Sequence, residues 1–205
     1  MRQFQILTSL IFVISALGCG GDEPKAFIET IYQLRCPSDL AGCSRDGQQV
    51  DIFGYDSEPN DDLGSPAGDV SLTCSYVTSG TSRTLAFDVR VGSGASAPRL
   101  RITGALVNEA AGGSVGGGCQ VMLIDDSNTY AAACSGSAPS AEVPCQLGPV
   151  SLMDGEFGPE ISTTLLCTNI TAATNPLQLR RNLEHGAGSP LRTPAALRLI
   201  NCDGT

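Results

Sequence analysis

The sequence predicts an all-β domain, an antiparallel two-sheet β-sandwich stapled by disulfides, and three observations carry that expectation. From Phe27 onward apolar and polar residues alternate, the period-two pattern of strands buried on one face. Clusters of Gly, Pro, Asn, Asp and Ser interrupt the alternation about every ten residues, as the turns of a sandwich require. The third observation is the nine cysteines, a usage that suits an oxidising, extracytoplasmic compartment.

Taken in order, the strand-like stretches are 27–34, 49–55, 70–77, 83–91, 99–107, 119–124, 130–134, 145–153, 161–170 and 195–202. The clearest is 83–91, where Leu85, Phe87, Val89 and Val91 are separated by Ala86, Asp88 and Arg90; one face is expected in the core and one in water. The sole helix candidate is 177–183, with Pro176 placed just inside its start.

Turn symmetry suggests how the cysteines pair. Cys119 and Cys134 are equidistant from the turn 125–128, and Cys145 and Cys167 from the turn 154–158; directly opposed cysteines on a hairpin can be bridged. Cys36 and Cys43 can close a local loop containing Pro37 and Gly42, which leaves Cys74 for Cys202. Eight cysteines admit 105 connectivities, and this is the one that the turns favour.

The start of the chain reads as an export signal: a short region with Arg2 as its only charge, then an apolar stretch from Ile6 to Leu17. As a helix this stretch spans about 18 Å, short of the roughly 30 Å of a bilayer's hydrocarbon core. It ends in Ala16-Leu17-Gly18-Cys19, which resembles the lipobox of bacterial lipoproteins, although the commonest pattern has Leu first and Ala or Ser second. The resemblance implies cleavage before Cys19 and a diacylglycerol, with palmitate-type acyl chains, on its sulfur. Parity agrees, because giving Cys19 to a lipid leaves eight cysteines to pair. The domain boundaries expected are 1–18 for the signal peptide, 19–26 for the lipidated cysteine and tether, and 27–205 for the folded domain. Gly20 follows Cys19 where many inner-membrane lipoproteins carry Asp, so by the same resemblance the outer membrane is favoured. The Asn201-Cys202-Asp203-Gly204 segment and the Cys-rich second half resemble uncharacterised lipoproteins of myxobacterial type, from which no activity transfers.

Twenty-one acidic against twelve basic residues give a formal charge of -9, a balance that repels phosphate backbones and argues against nucleic acid as a partner. Aromatic residues are 5 % of the chain and Trp is absent, which argues against a stacked sugar-binding platform.

One catalytic pattern occurs. Gly112-x-Ser114-x-Gly116 fits a nucleophile elbow, and Asp125, Asp126 or Asp154 followed by His185 completes the order Ser, Asp, His. The context differs from the elbow, which needs a strand entering a helix, whereas Ser114 lies in a Gly-rich stretch leading into the strand at Cys119. An acidic segment with Asp51, Asp56, Glu58, Asp61, Asp62 and Asp69 offers oxygens to a hard cation. EF-hand spacing fails there, and the reading is a solvated surface loop with no metal. No C-x-x-C or H-E-x-x-H occurs and the chain has one histidine, so neither zinc nor another cofactor is expected. The function expected is that of a non-catalytic, membrane-anchored binding or structural module of the envelope, facing an unidentified protein or glycan; the alternative is an exported serine hydrolase using Ser114 and His185.

Overall fold

The computed structural model of the chain describes residues 24–36, 48–59, 68–94, 96–125, 128–171, 176–180 and 194–205. The expected signal segment, Cys19, Cys43, Asp61, Asp62, Asp126 and His185 lie outside them.

The fold is all-β. Its strands are β1 (Phe27–Arg35), β2 (Gln48–Tyr55), β3 (Glu58–Pro59), β4 (Asp69–Ser79), β5 (Ser82–Val91), β6 (Arg99–Asn108), β7 (Ser114–Val115), β8 (Cys119–Asp125), β9 (Asn128–Ser135), β10 (Cys145–Leu147), β11 (Ser151–Gly155), β12 (Gly158–Thr171), β13 (Pro176–Arg180) and β14 (Ala195–Ile200). A single 3₁₀ turn, Glu109–Ala111, interrupts them among the described residues.

The strands make one hydrogen-bonded sheet in the order β13-β1-β14-β12-β10-β9-β8-β6-β5-β4-β3, with β2 on β1, β7 on β6 and β11 on β12. This corrects the expectation of two separate antiparallel sheets. The two halves are joined because β10 lies antiparallel to β12 on one side and parallel to β9 on the other. A sheet of this size must curl to bury its inner face, and here its far ends come together. The segment after β14 runs alongside β4: Tyr76 N donates to Asp203 O at 2.7 Å, Asp203 N to Cys74 O at 3.1 Å, and Cys74 is disulfide-bonded to Cys202. The edge of β4 beyond the two residues of β3 is thereby covered, which removes a template for edge-to-edge association.

The core is a single cluster fed by nearly every strand, with Leu85, Phe87, Val89, Leu100, Val121, Leu123, Leu165 and Leu197 all at 3 % exposure or less. Alternation on β5 follows the expected phase. On β6 the buried residues are Leu100 and Ile102, then Ala105 and Val107. The change of phase falls at Gly104, whose φ of +71° accompanies a bulge opposite β5.

Two further expectations are corrected. Residues 176–180 are strand, not helix: Leu177 and Leu179 also satisfy period two, and Pro176 begins the strand, where its missing N–H costs no ladder bond. The expected single strand 145–153 splits into β10 and β11 around Gly148-Pro149-Val150. There Val150 N turns away to Gly113 O at 2.8 Å, and Pro149 has no N–H to give β12.

Candidate functional site

The four cysteines of the second half fall on one register row. Cys119 opposes Cys134 across β8 and β9, Cys134 neighbours Cys145 across β9 and β10, and Cys145 opposes Cys167 across β10 and β12. The bonds are Cys119–Cys134 and Cys145–Cys167, with Cα separations of 5.0 and 4.1 Å. Cys36 is also disulfide-bonded, so every cysteine among the described residues is oxidised.

The glycine-serine motif is not a nucleophile elbow. Ser114 opens the two-residue β7, opposite Asn108 of β6, and no helix follows it. The glycines before it answer to backbone and packing, not to catalysis: a Cβ on Gly113, where φ is +74°, would stand 1.9 Å from Val150 O, while Gly112, at φ +65°, has nothing within 4 Å and meets a left-handed conformation alone. Of the candidate triad aspartates, Asp125 is buried on β8 and Asp154 lies on β11; the candidate base His185 is outside the described residues.

The acidic segment is divided by the fold. Asp51 is a buried residue of β2 and not part of a solvated loop; it stands opposite the exposed Ile31 of β1, so strand alternation places it on the outer face. Asp56 accepts the backbone N–H of Leu72 at 2.9 Å, and Glu58 pairs with Lys25. Asp69 is exposed at the start of β4. Among the described residues no three His, Cys, Asp or Glu side chains are grouped to hold a metal.

What the sheet does build is a decorated outer face over β2, β1, β14, β12 and β11. Directly opposed residues of antiparallel strands share a face, so the register defines three rows. The first runs Tyr55, Phe27, Ile200, Glu160, Met153; the second Phe53, Glu29, Arg198, Ser162, Ser151; the third Asp51, Ile31, Ala196, Thr164. Phe27 packs edge-on against Phe53 at 5.0 Å and tilted against Tyr55 at 4.9 Å. At the centre Arg198 Nε and Nη2 each donate at 2.9 Å to the two carboxylate oxygens of Glu160, while Nη1 donates to Glu29 at 3.2 Å. This arrangement holds the Glu160 carboxyl below the usual range and raises Arg198.

A concavity of about 780 Å³ lies on this face, lined by Glu29, Ile31, Ser151, Ser162, Thr164 and Arg198 among others. Its chemistry is that of hydroxyl hydrogen bonding around a neutralised guanidinium, with an apolar patch beside it. Ser162 Oγ donates to Glu160 Oε1 at 3.3 Å, but a carboxylate with a lowered pKa is a poor general base. The groove therefore fits binding better than bond-breaking. Sequence reading missed it, since its residues come from four strands spread over 170 positions; the one available signal was charge on strands otherwise apolar at Glu29, Glu160 and Arg198.

Elsewhere, Tyr76 OH donates to Glu109 at 3.1 Å and Arg83 lies 5.0 Å above its ring. Burial and the Glu109 bond push the Tyr76 phenol up to about 12, so it stays protonated at neutral pH. No family model, no curated protein and no solved structure matches the chain.

Proposed function

We propose that the chain is a lipid-anchored, non-catalytic module of the cell envelope, held on the outer membrane by diacylglycerol on Cys19 and presenting the groove over β1, β14 and β12 to a protein or glycan partner. Cysteine accounting carries the reading. Cys74–Cys202, Cys119–Cys134 and Cys145–Cys167 use six of the nine cysteines, and Cys36 is oxidised as well. On the pairing expected from the sequence, Cys36 with Cys43 seven residues on, Cys19 is left as the odd cysteine at the end of a lipobox-like motif. The groove supports the binding role, because it offers fixed donors and acceptors without an activated nucleophile. The acidic charge disfavours nucleic acid. No cofactor is invoked.

Intact mass of the protein purified from native membranes tests the anchor. Diacylglycerol on Cys19 is expected, and Cys19→Ala should release the protein or block its processing. An unmodified N-terminal Cys19 on a membrane-free protein sinks the proposal.

A further inference from the structure

We infer that the edge of the domain at which the tether enters is itself a membrane-contact surface that rests in the zwitterionic headgroup region of the bilayer. The inference rests on the proposed lipid on Cys19.

The tether meets the fold at a defined place. Asn201, held in a left-handed conformation at φ +54°, donates from Nδ2 to Lys25 O at 3.3 Å and to Phe157 O at 3.0 Å. One side-chain amide thus ties the last tether residues to the β11–β12 turn. A Cβ on Gly158, where φ is +122°, would stand 1.9 Å from Asn201 Oδ1, so the turn is fitted to this clamp.

That turn carries Phe157, which is 58 % exposed, and beside it on β11 is Met153 at 47 %. The outer face that begins at this edge adds Phe53 at 43 % and Tyr55 at 37 %. Eight large apolar side chains among the described residues stand at least this far into solvent, and four of them lie along the end of the face where the chain enters the domain, with Tyr55 and Met153 at opposite ends of its first row. Aromatic side chains with this exposure favour the bilayer interface, where the ring is dehydrated and a phenol stays wet.

Geometry allows the contact. Seven residues separate Cys19 from Phe27 and reach at most about 25 Å when fully extended, so the edge holding Lys25 cannot stand far from the surface that holds the lipid. Charge selects the lipid. Asp154 and Glu156 lie just before Phe157 in the turn, and Lys25 is paired with Glu58, so the edge offers no cationic patch to anionic headgroups. A zwitterionic surface is the fitting partner.

The chain has no tryptophan, so Phe157→Trp gives a single reporter at the edge and Thr171→Trp, exposed at the opposite end of β12 from the turn that carries Phe157, gives a control. Each lipidated full chain is reconstituted into phosphatidylcholine and phosphatidylethanolamine vesicles with brominated acyl chains. Expected are a blue shift and a loss of emission for Phe157→Trp, and neither for Thr171→Trp. Equal emission from both reporters on protein that co-floats with the vesicles overturns the membrane contact while leaving the anchor intact. Protein whose mass shows no lipid on Cys19 removes both the anchor and this inference. Adding Met153→Ser to the Phe157→Trp chain should weaken the quenching; an unchanged signal also counts against the surface.

Discussion

Arg198 and Glu160 show what one residue pair does on a sheet face. The Glu160 side chain is 11 % exposed and that of Arg198 39 %, so the pair stands between a screened surface bridge and a buried one. Because Arg198 lowers the folded-state pKa of Glu160 below its unfolded value, the stabilisation is fully present above the unfolded value of about 4.3 and is lost as pH falls through the depressed folded value. Glu160→Gln should therefore lower stability by about 1 to 2 kcal/mol at pH 7 and by little at the acid end of that window; urea midpoints at the two pH values check it. Backbone residues make an equally local case. Gly113→Ala meets both a left-handed φ and the Val150 carbonyl, and should cost upwards of about 2 kcal/mol, whereas Gly112→Ala, at φ +65° with nothing within 4 Å, should cost about 1 to 2 kcal/mol from conformation alone. Thermal melts of the two variants would show the difference, and equal losses would mean that the Val150 contact relaxes freely. For Ser114, a fluorophosphonate probe should leave the folded protein unlabelled, since nothing resembling an elbow holds its hydroxyl; labelling abolished by His185→Ala would restore the hydrolase.

Among the elements, the row Cys119, Cys134, Cys145, Cys167 has a consequence for folding in oxidant. Cys134 has two neighbours on the row, its partner Cys119 and the parallel-strand neighbour Cys145. Refolding from the reduced state should therefore produce a minor species with Cys134 joined to Cys145, detectable by non-reducing peptide mapping and depleted by a disulfide isomerase; its complete absence would mean that β10 docks only after both hairpins have closed. Cys119–Cys134 was legible in the sequence because a turn fixes register for its flanking strands, and register sets which cysteines face each other; Cys145–Cys167 needs a one-residue shift between β10 and β11 as well, since the β11–β12 register by itself sets Cys145 against Thr168. The parallel contact of β9 with β10 was not legible, because it is made by a nine-residue excursion, 136–144, that carries no period. For the same reason β13 was misread: in Pro-Leu-Gln-Leu-Arg, five residues fit a helix start and a strand equally well, and only pairing with β1 and β12 decides. The groove stayed invisible because a site assembled across four strands has no signature along any one of them.

At the scale of the molecule, closure depends on contacts remote in sequence. Cys74–Cys202 spans 128 residues and Cys145–Cys167 spans 22, so a chain-entropy estimate gives about 4.9 and 3.4 kcal/mol respectively. Replacing the first pair by alanines should lower the unfolding free energy more than replacing the second; the reverse order in denaturant titrations would show that enthalpy or residual denatured structure governs both. The segment 201–205 matters beyond stability, because the hydrogen bonds of Asp203 with Cys74 and Tyr76 cannot form until nearly the whole domain has been synthesised. Non-local pairing of this kind slows folding to milliseconds or longer. Under the proposed export, in which the chain threads a translocation channel unfolded, such delay is useful: the fold does not lock prematurely on the wrong side of the membrane, and its completion is left to the compartment where thiols can be oxidised.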